Sequence, residues 1–318
     1  MFKFLKSNNP LYFLFISSFI LFFSVINHIL LSSQEIIWPF SSVINLNKYF
    51  FYFAYTAILL FSAIKTNIII NKSVFFQKTN YATGLIYIAI ASSIYPLHLS
   101  IKPLLANLFC LLALENLLKI YRNKTCKIEI FNASCWLLTS ALFVGNTIFI
   151  FPIIWITLSF IRPFNWREYI MPFIALFFIS IYIFVLLFYF GDLNFWIEND
   201  YQKLKNFQPI KSDNWWYFGI VLLLGFIISS RTLFLSFIRS NNRYKKITWV
   251  FINLFFCCIL QSLSEYIFLK NSQPLLFGFL IPFSVILSNT IINTKISWLI
   301  HCFIFISVVG YFVVTYVI

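Results

Sequence analysis

The chain has 318 residues, of which 61% are hydrophobic and 10% charged. A soluble domain carries roughly 25% charged and 45–50% apolar residues, so water cannot be the main solvent of this chain and lipid must be. Its 23 basic residues against nine acids give a net charge of +14. They fall in short clusters between apolar runs, a pattern that fits membrane topology and anionic headgroups and argues against nucleic-acid binding.

A spanning helix needs about 20 mainly apolar residues. The first such run, 11–32, follows Lys3 and Lys6 as a signal sequence would. It is long enough to span and no small-residue cleavage site follows, so it reads as an uncleaved signal-anchor helix. Further spans are expected at 48–70, 81–97 and 103–121. Those at 130–145 and 147–162 are short and joined only around Gly145 and Asn146. They form either a tight hairpin or a pair with one re-entrant arm. Spans at 169–190, 215–238, 248–269, 274–292 and 297–317 complete an all-α polytopic transmembrane bundle of about eleven crossings. Pro152, Pro172 and Pro282 are expected to kink helices or mark their starts. Residues 1–318 form a single integral membrane domain with no linker or soluble module.

Lys and Arg in the connecting loops set the orientation. One side receives Lys3, Lys6, Lys72, Lys78, Arg122, Lys124, Lys127, Arg162, Arg167, Arg239, Arg243, Lys245, Lys246 and Lys295. The other has only Lys48, Lys102, Lys203, Lys205, Lys211 and Lys270. The N-terminus is therefore expected in the cytoplasm and the C-terminus outside. The exterior loop 191–214 places Leu193, Ile197, Tyr201, Leu204 and Phe207 at helical spacing, with most charges off that stripe. It reads as an amphipathic interfacial helix, serving as an anchor or as a lid over a lipid-facing site.

Ionisable groups inside a membrane are costly, so each is a functional candidate. Lys65, Glu115 and Arg231 all fall roughly 9–11 Å below the expected cytoplasmic face, at 1.5 Å per residue. Glu115 is expected to contact Lys65 or Arg231, and it also has Lys119 at i+4. Near the exterior face, Gln261 and Glu265 share a helical face beside Ser262 and Ser264, and Glu35 stands in the first exterior loop. Glu35 and Glu265 are the outer carboxylates with catalytic potential. His28 and His301 have no companions at ligand spacing, and the six cysteines form no CxxC pair. No metal site or cofactor is expected, and phosphate-loop, GxSxG and HExxH motifs are absent.

The most distinctive string is Arg162-Pro163-Phe164-Asn165-Trp166-Arg167-Glu168. Pro163 ends the preceding helix, Trp166 suits the interface, and Arg162 and Arg167 suit lipid phosphates. Together with the FNASCWLLTSALF stretch at 131–143 and Asn71-Lys72, it resembles an uncharacterised polytopic membrane protein family of Bacteroidota, a family defined by a domain of unknown function. That resemblance implies a bacterial inner-membrane location, and it supplies no catalytic residues. The unit at 131–168 is also similar to one found in GT-C membrane glycosyltransferases and polysaccharide polymerases, enzymes of lipid-linked sugars. Those enzymes usually carry an acidic residue or pair in the first exterior loop, and here that loop holds Glu35 alone.

Three functions follow: a non-enzymatic envelope-associated or accessory protein, a glycan- or lipid-handling enzyme, or a transporter using the Lys65, Glu115 and Arg231 layer. Membrane lipids and other membrane proteins are the expected partners.

Overall fold

The computed structural model describes residues 48–73, 75–76, 80–94, 101–121, 126–190, 215–269 and 276–293, with Leu11, Phe13, Leu14, Ser17 and Ser18 ahead of them. The described residues are 90% helix, with no strand among them. The helices are α1 (Lys48–Ser73), α2 (Ala82–Ile94), α3 (Lys102–Lys119) and α4 (Lys127–Phe143), followed by a 3-10 turn, Gly145–Ile150. Next come α5 (Ile153–Ile161), α6 (Trp166–Tyr169), α7 (Met171–Phe190), α8 (Trp215–Arg239) and α9 (Asn242–Leu269). A second 3-10 turn, Leu276–Phe279, leads into α10 (Leu280–Asn293).

Three windows are long and apolar enough to cross a membrane: Phe53–Ser73, Trp166–Val185 and Asn242–Ser264. The chain is thus a helical membrane protein by the length and composition of its helices. Shorter apolar helices occupy Ala82–Ala91, Gly145–Ile161, Gly225–Ile238 and Leu280–Ile292. Each expected range from 48–70 to 274–292 is largely helical where it falls on described residues. The range 147–162 differs, because the 3-10 turn and the nine-residue α5 replace one continuous helix. Pro152 is the N-cap of α5, Pro172 lies in the first turn of α7 and Pro282 in that of α10. All three mark helix starts, where the missing N–H has no partner to lose. The 11–32 range is described at five residues only, and 297–317 and the 191–214 loop lie outside the described residues.

The central packing pair is α3 with α4, and α1 packs on α2 and α3. Helix α9 packs against the first 3-10 turn and α5, while α10 joins α2, α8 and α9. One large apolar core runs through Leu59, Tyr87, Leu104, Leu114, Ile130, Ile153, Leu254 and Phe283. Some polar groups between the helices are paired across them. Tyr244 donates to Asn289 Oδ1 at 2.9 Å, and Asn289 Nδ2 donates to Ser236 Oγ at 3.2 Å. Ser236 lies 3.0 Å from Tyr244 Oη, so α8, α9 and α10 are closed into one triangle. Many of the serines and threonines bond back to a carbonyl three or four residues earlier on their own helix, as Ser62, Thr66, Ser134 and Thr157 do. Helix α7 differs from the rest. It packs mainly on α4, only 17% of its spanning window is buried, and Phe177, Tyr182, Phe184 and Phe188 point away from the protein.

Close approach of α1 and α2 depends on Gly84. A Cβ there would lie 2.8 Å from Phe13 Cε2 and 2.9 Å from the Ala63 carbonyl oxygen. Small residues let membrane helices approach closely. Gly84→Ala is expected to destabilise the protein by about 1–3 kcal/mol, read as a lower midpoint in detergent unfolding. An unchanged midpoint would contradict this contact.

Candidate functional site

Two carboxylates held by basic side chains and a small, mainly apolar cavity stand out among the described residues. The first carboxylate is Glu115, in the last two turns of α3. Its Oε2 lies 3.4 Å from Lys65 Nζ on α1, and its Oε1 lies 3.4 Å from Lys119 Nζ and 3.8 Å from Lys72 Nζ. The α1–α3 contact supplies this geometry, since Lys65 and Lys72 are seven residues apart and share one face of α1. Glu115 itself is only 14% exposed, whereas Lys72 and Lys119 are largely exposed. Arg231, the third member of the expected layer, is exposed on α8 and makes no ion pair with Glu115.

The second carboxylate is Glu168, at the end of the 162–168 string. Arg162 ends α5 in extended geometry, and Asn165 caps α6 by accepting from the Arg167 amide at 3.3 Å. This turn swings Glu168 inward, where its Oε1 meets Arg162 Nη1 at 3.3 Å. The string therefore divides. Arg162 faces Glu168, while Trp166 and Arg167 face outward. Lys246 of α9 donates to the Ile161 carbonyl at 2.8 Å, satisfying an acceptor at the C-terminus of α5. Cys126, buried just before α4, donates to Glu168 Oε1 at 3.5 Å. Burial, and then the neighbouring Glu168 carboxylate, push the Cys126 thiol up to about 12.

The cavity, of about 20 Å³, is lined by Asn107, Cys110, Thr147, Cys258, Gln261 and Gly278 together with apolar neighbours. Five separate elements meet there: α3, the first 3-10 turn, α9, the second 3-10 turn and α10. Asn107 Nδ2 donates to Tyr87 Oη at 2.6 Å, while its Oδ1 is buried without a hydrogen-bond partner among the described residues. This volume is about that of one water molecule. It is far too small for a sugar.

Of the outer carboxylates, Glu265 lies on α9 with its side chain outside the described residues, and Glu35 lies outside them altogether. Among the described residues there is no His, Cys, Asp and Glu cluster that could hold a metal. Lys72, Cys126, Glu168 and Asn107 are additions to the residues that the sequence singled out for a site. For Asn107 the available signal was an amide in an otherwise apolar run, and for Glu168 it was an acid directly after Arg167 and six residues after Arg162.

Breaking the Glu168 pair should be costly. Glu168→Ala leaves Arg162 without its carboxylate and is expected to lose about 3 kcal/mol of stability, measured as the detergent-unfolding midpoint. A loss below about 0.5 kcal/mol would place this pair among weak surface contacts. A variant retaining Cys126 as its only cysteine should react with iodoacetamide at pH 8 on the order of a thousandfold more slowly than an exposed cysteine, because little thiolate forms. Comparable rates would contradict the burial of Cys126 against Glu168.

No protein-family model, curated protein or solved structure matches this chain.

Proposed function

We propose that the chain is a multi-pass bacterial inner-membrane protein acting as a non-enzymatic accessory or scaffold subunit of the cell envelope. In this reading it crosses the bilayer about eleven times, with the N-terminus in the cytoplasm and the C-terminus outside. It would belong with the uncharacterised Bacteroidota family that its 71–72, 131–143 and 162–168 strings resemble.

The observation that carries the reading is the contrast between a filled interior and the flank of α7, the least buried of the three candidate spans. Glu115 and Glu168 are both engaged by their own basic neighbours. Helix α7, by contrast, turns a row of aromatic and aliphatic side chains away from the protein, with Phe188 86% and Tyr189 81% exposed. Aromatic side chains bring large contact area at low cost in conformational freedom, which suits a helix that receives a neighbouring membrane protein.

Two measurements test this. A photo-crosslinking residue at Phe184, in native membranes, should give a discrete adduct with another membrane protein, and one at the buried Ala175 should not. Adducts with lipid alone at Phe184 would refute the accessory role. For topology, a cysteine placed in 72–78 or 241–246 should be shielded from an impermeant reagent applied outside, and one in 198–212 should be labelled. The reverse pattern would overturn the orientation.

A further inference from the structure

The geometry points to a binding site for an anionic phospholipid, formed by Lys65, Lys72 and Lys119 around Glu115. Three ammonium groups lie within 4.0 Å of one carboxylate, so the four groups together carry a charge of +2. The carboxylate is the most buried member, at 14% exposure, against 28% for Lys65, 49% for Lys119 and 64% for Lys72. An approaching group therefore meets the ammoniums before it meets Glu115. Because all three converge on one carboxyl group, they lie close enough together to surround a single phosphodiester, which lysine binds as a point charge.

The surface beside these ammoniums is apolar. Phe61, Lys65, Ile68 and Lys72 recur at four-, three- and four-residue steps and so form one stripe along α1. Phe61 and Ile68 are exposed, as is the adjacent Ile64. The Lys65 ammonium sits 5.9 Å from the centre of the Phe61 ring, so the amine and the apolar stripe form one continuous surface. An anionic head with an apolar tail matches that order, with the phosphate at the lysines and an acyl chain along Phe61, Ile64 and Ile68. A free phosphate ion would use only the upper half. The end of α1 that carries Lys72 is also the end that the distribution of Lys and Arg assigns to the cytoplasmic leaflet, where polybasic segments meet anionic lipid. The site rests on the multi-pass reading, and it is independent of any partner at α7.

In this arrangement Glu115 holds the lysines together and competes with the lipid for them. The test is native mass spectrometry of the purified full-length chain, titrated with phosphatidylglycerol, phosphatidylcholine or inorganic phosphate. Phosphatidylglycerol should bind in preference to phosphatidylcholine. Lys65→Gln and Lys119→Gln should each weaken phosphatidylglycerol binding about fivefold without changing that of phosphatidylcholine. Lys65→Arg should retain binding, and Glu115→Gln should strengthen it, a gain that damage to the fold cannot produce. Equal affinity for the two lipids, or phosphatidylglycerol binding unchanged in the lysine variants, would overturn the site. Displacement of phosphatidylglycerol by millimolar inorganic phosphate would overturn the lipid as its ligand and point to soluble phosphate instead. Should Glu115→Gln fail to fold, the exposed Lys72→Gln takes its place, with the same fivefold loss expected.

Discussion

A lipid solvent offers no hydrogen bonds, and most polar groups of the described residues answer to that constraint, although Asn67 Oδ1, Asn107 Oδ1 and Arg243 Nε are buried without a hydrogen-bond partner among them. A backbone N–H or C=O left open in hydrocarbon costs several kcal/mol. The described residues are accordingly 90% helix, in which most of the backbone satisfies itself. The serine and threonine hydroxyls follow the same rule by bonding back to their own helix, as Ser62 and Thr66 do on α1. Amides have two ends to satisfy and need neighbours, so Asn289 is bound to both Tyr244 and Ser236, and Asn71 to the backbone of Asn80. The close of α5 by Lys246 belongs to the same economy of acceptors.

Charge is governed more strictly still. Glu115 and Glu168 are each held by a basic group within 4.0 Å, and each also joins segments distant in sequence, Glu115 through Lys65 and Glu168 through Cys126. The two clusters differ in what they leave over. At Glu168 the Arg162 guanidinium and the Cys126 thiol turn inward, giving a closed structural knot. At Glu115 the ammoniums outnumber the carboxylate and reach outward beside an apolar stripe. A closed knot fixes a turn, whereas an open excess of charge can recruit a ligand. Packing shows the same division, with a filled interior around α3 and α4 and an unpacked flank on α7.

Much of this was legible in the amino-acid sequence because the bilayer imposes a length on its helices. Apolar runs located α1, α7 and α9 closely, although α9 begins at Asn242 rather than near 248. Its first turns hold Arg243, Lys245 and Lys246, which hydropathy assigns to a loop. In the structure Arg243 stacks on Tyr121 and Lys246 binds the Ile161 carbonyl, so these basic residues continue the helix. Pro152 was legible as a helix start, but the 3-10 geometry of Gly145–Ile150 ahead of it was not, because that stretch is as apolar as a helix would be. Depth arithmetic brought Lys65 to Glu115 correctly, but depth fixes only one coordinate. The rotation of α8 about its axis decides that Arg231 faces outward, and no single-helix periodicity encodes that rotation. Lys72 escaped for a related reason, since its span was expected to stop at 70 and α1 continues to Ser73. The Asn107–Tyr87 bond joins two helices whose pairing is set by the tertiary fold.

The most direct test of the account is amide hydrogen exchange of the full-length chain in lipid nanodiscs, compared across α1, α7 and α9. Helix α7 is decisive, because so little of it is buried by the protein itself. If lipid is its solvent, the amides of Trp166–Val185 should stay protected for hours, as should those of Phe53–Ser73 and Asn242–Ser264. Exchange of α7 within minutes, with α1 and α9 still protected, would mean that its exposed face meets water, and the membrane-embedded account of that helix would be wrong.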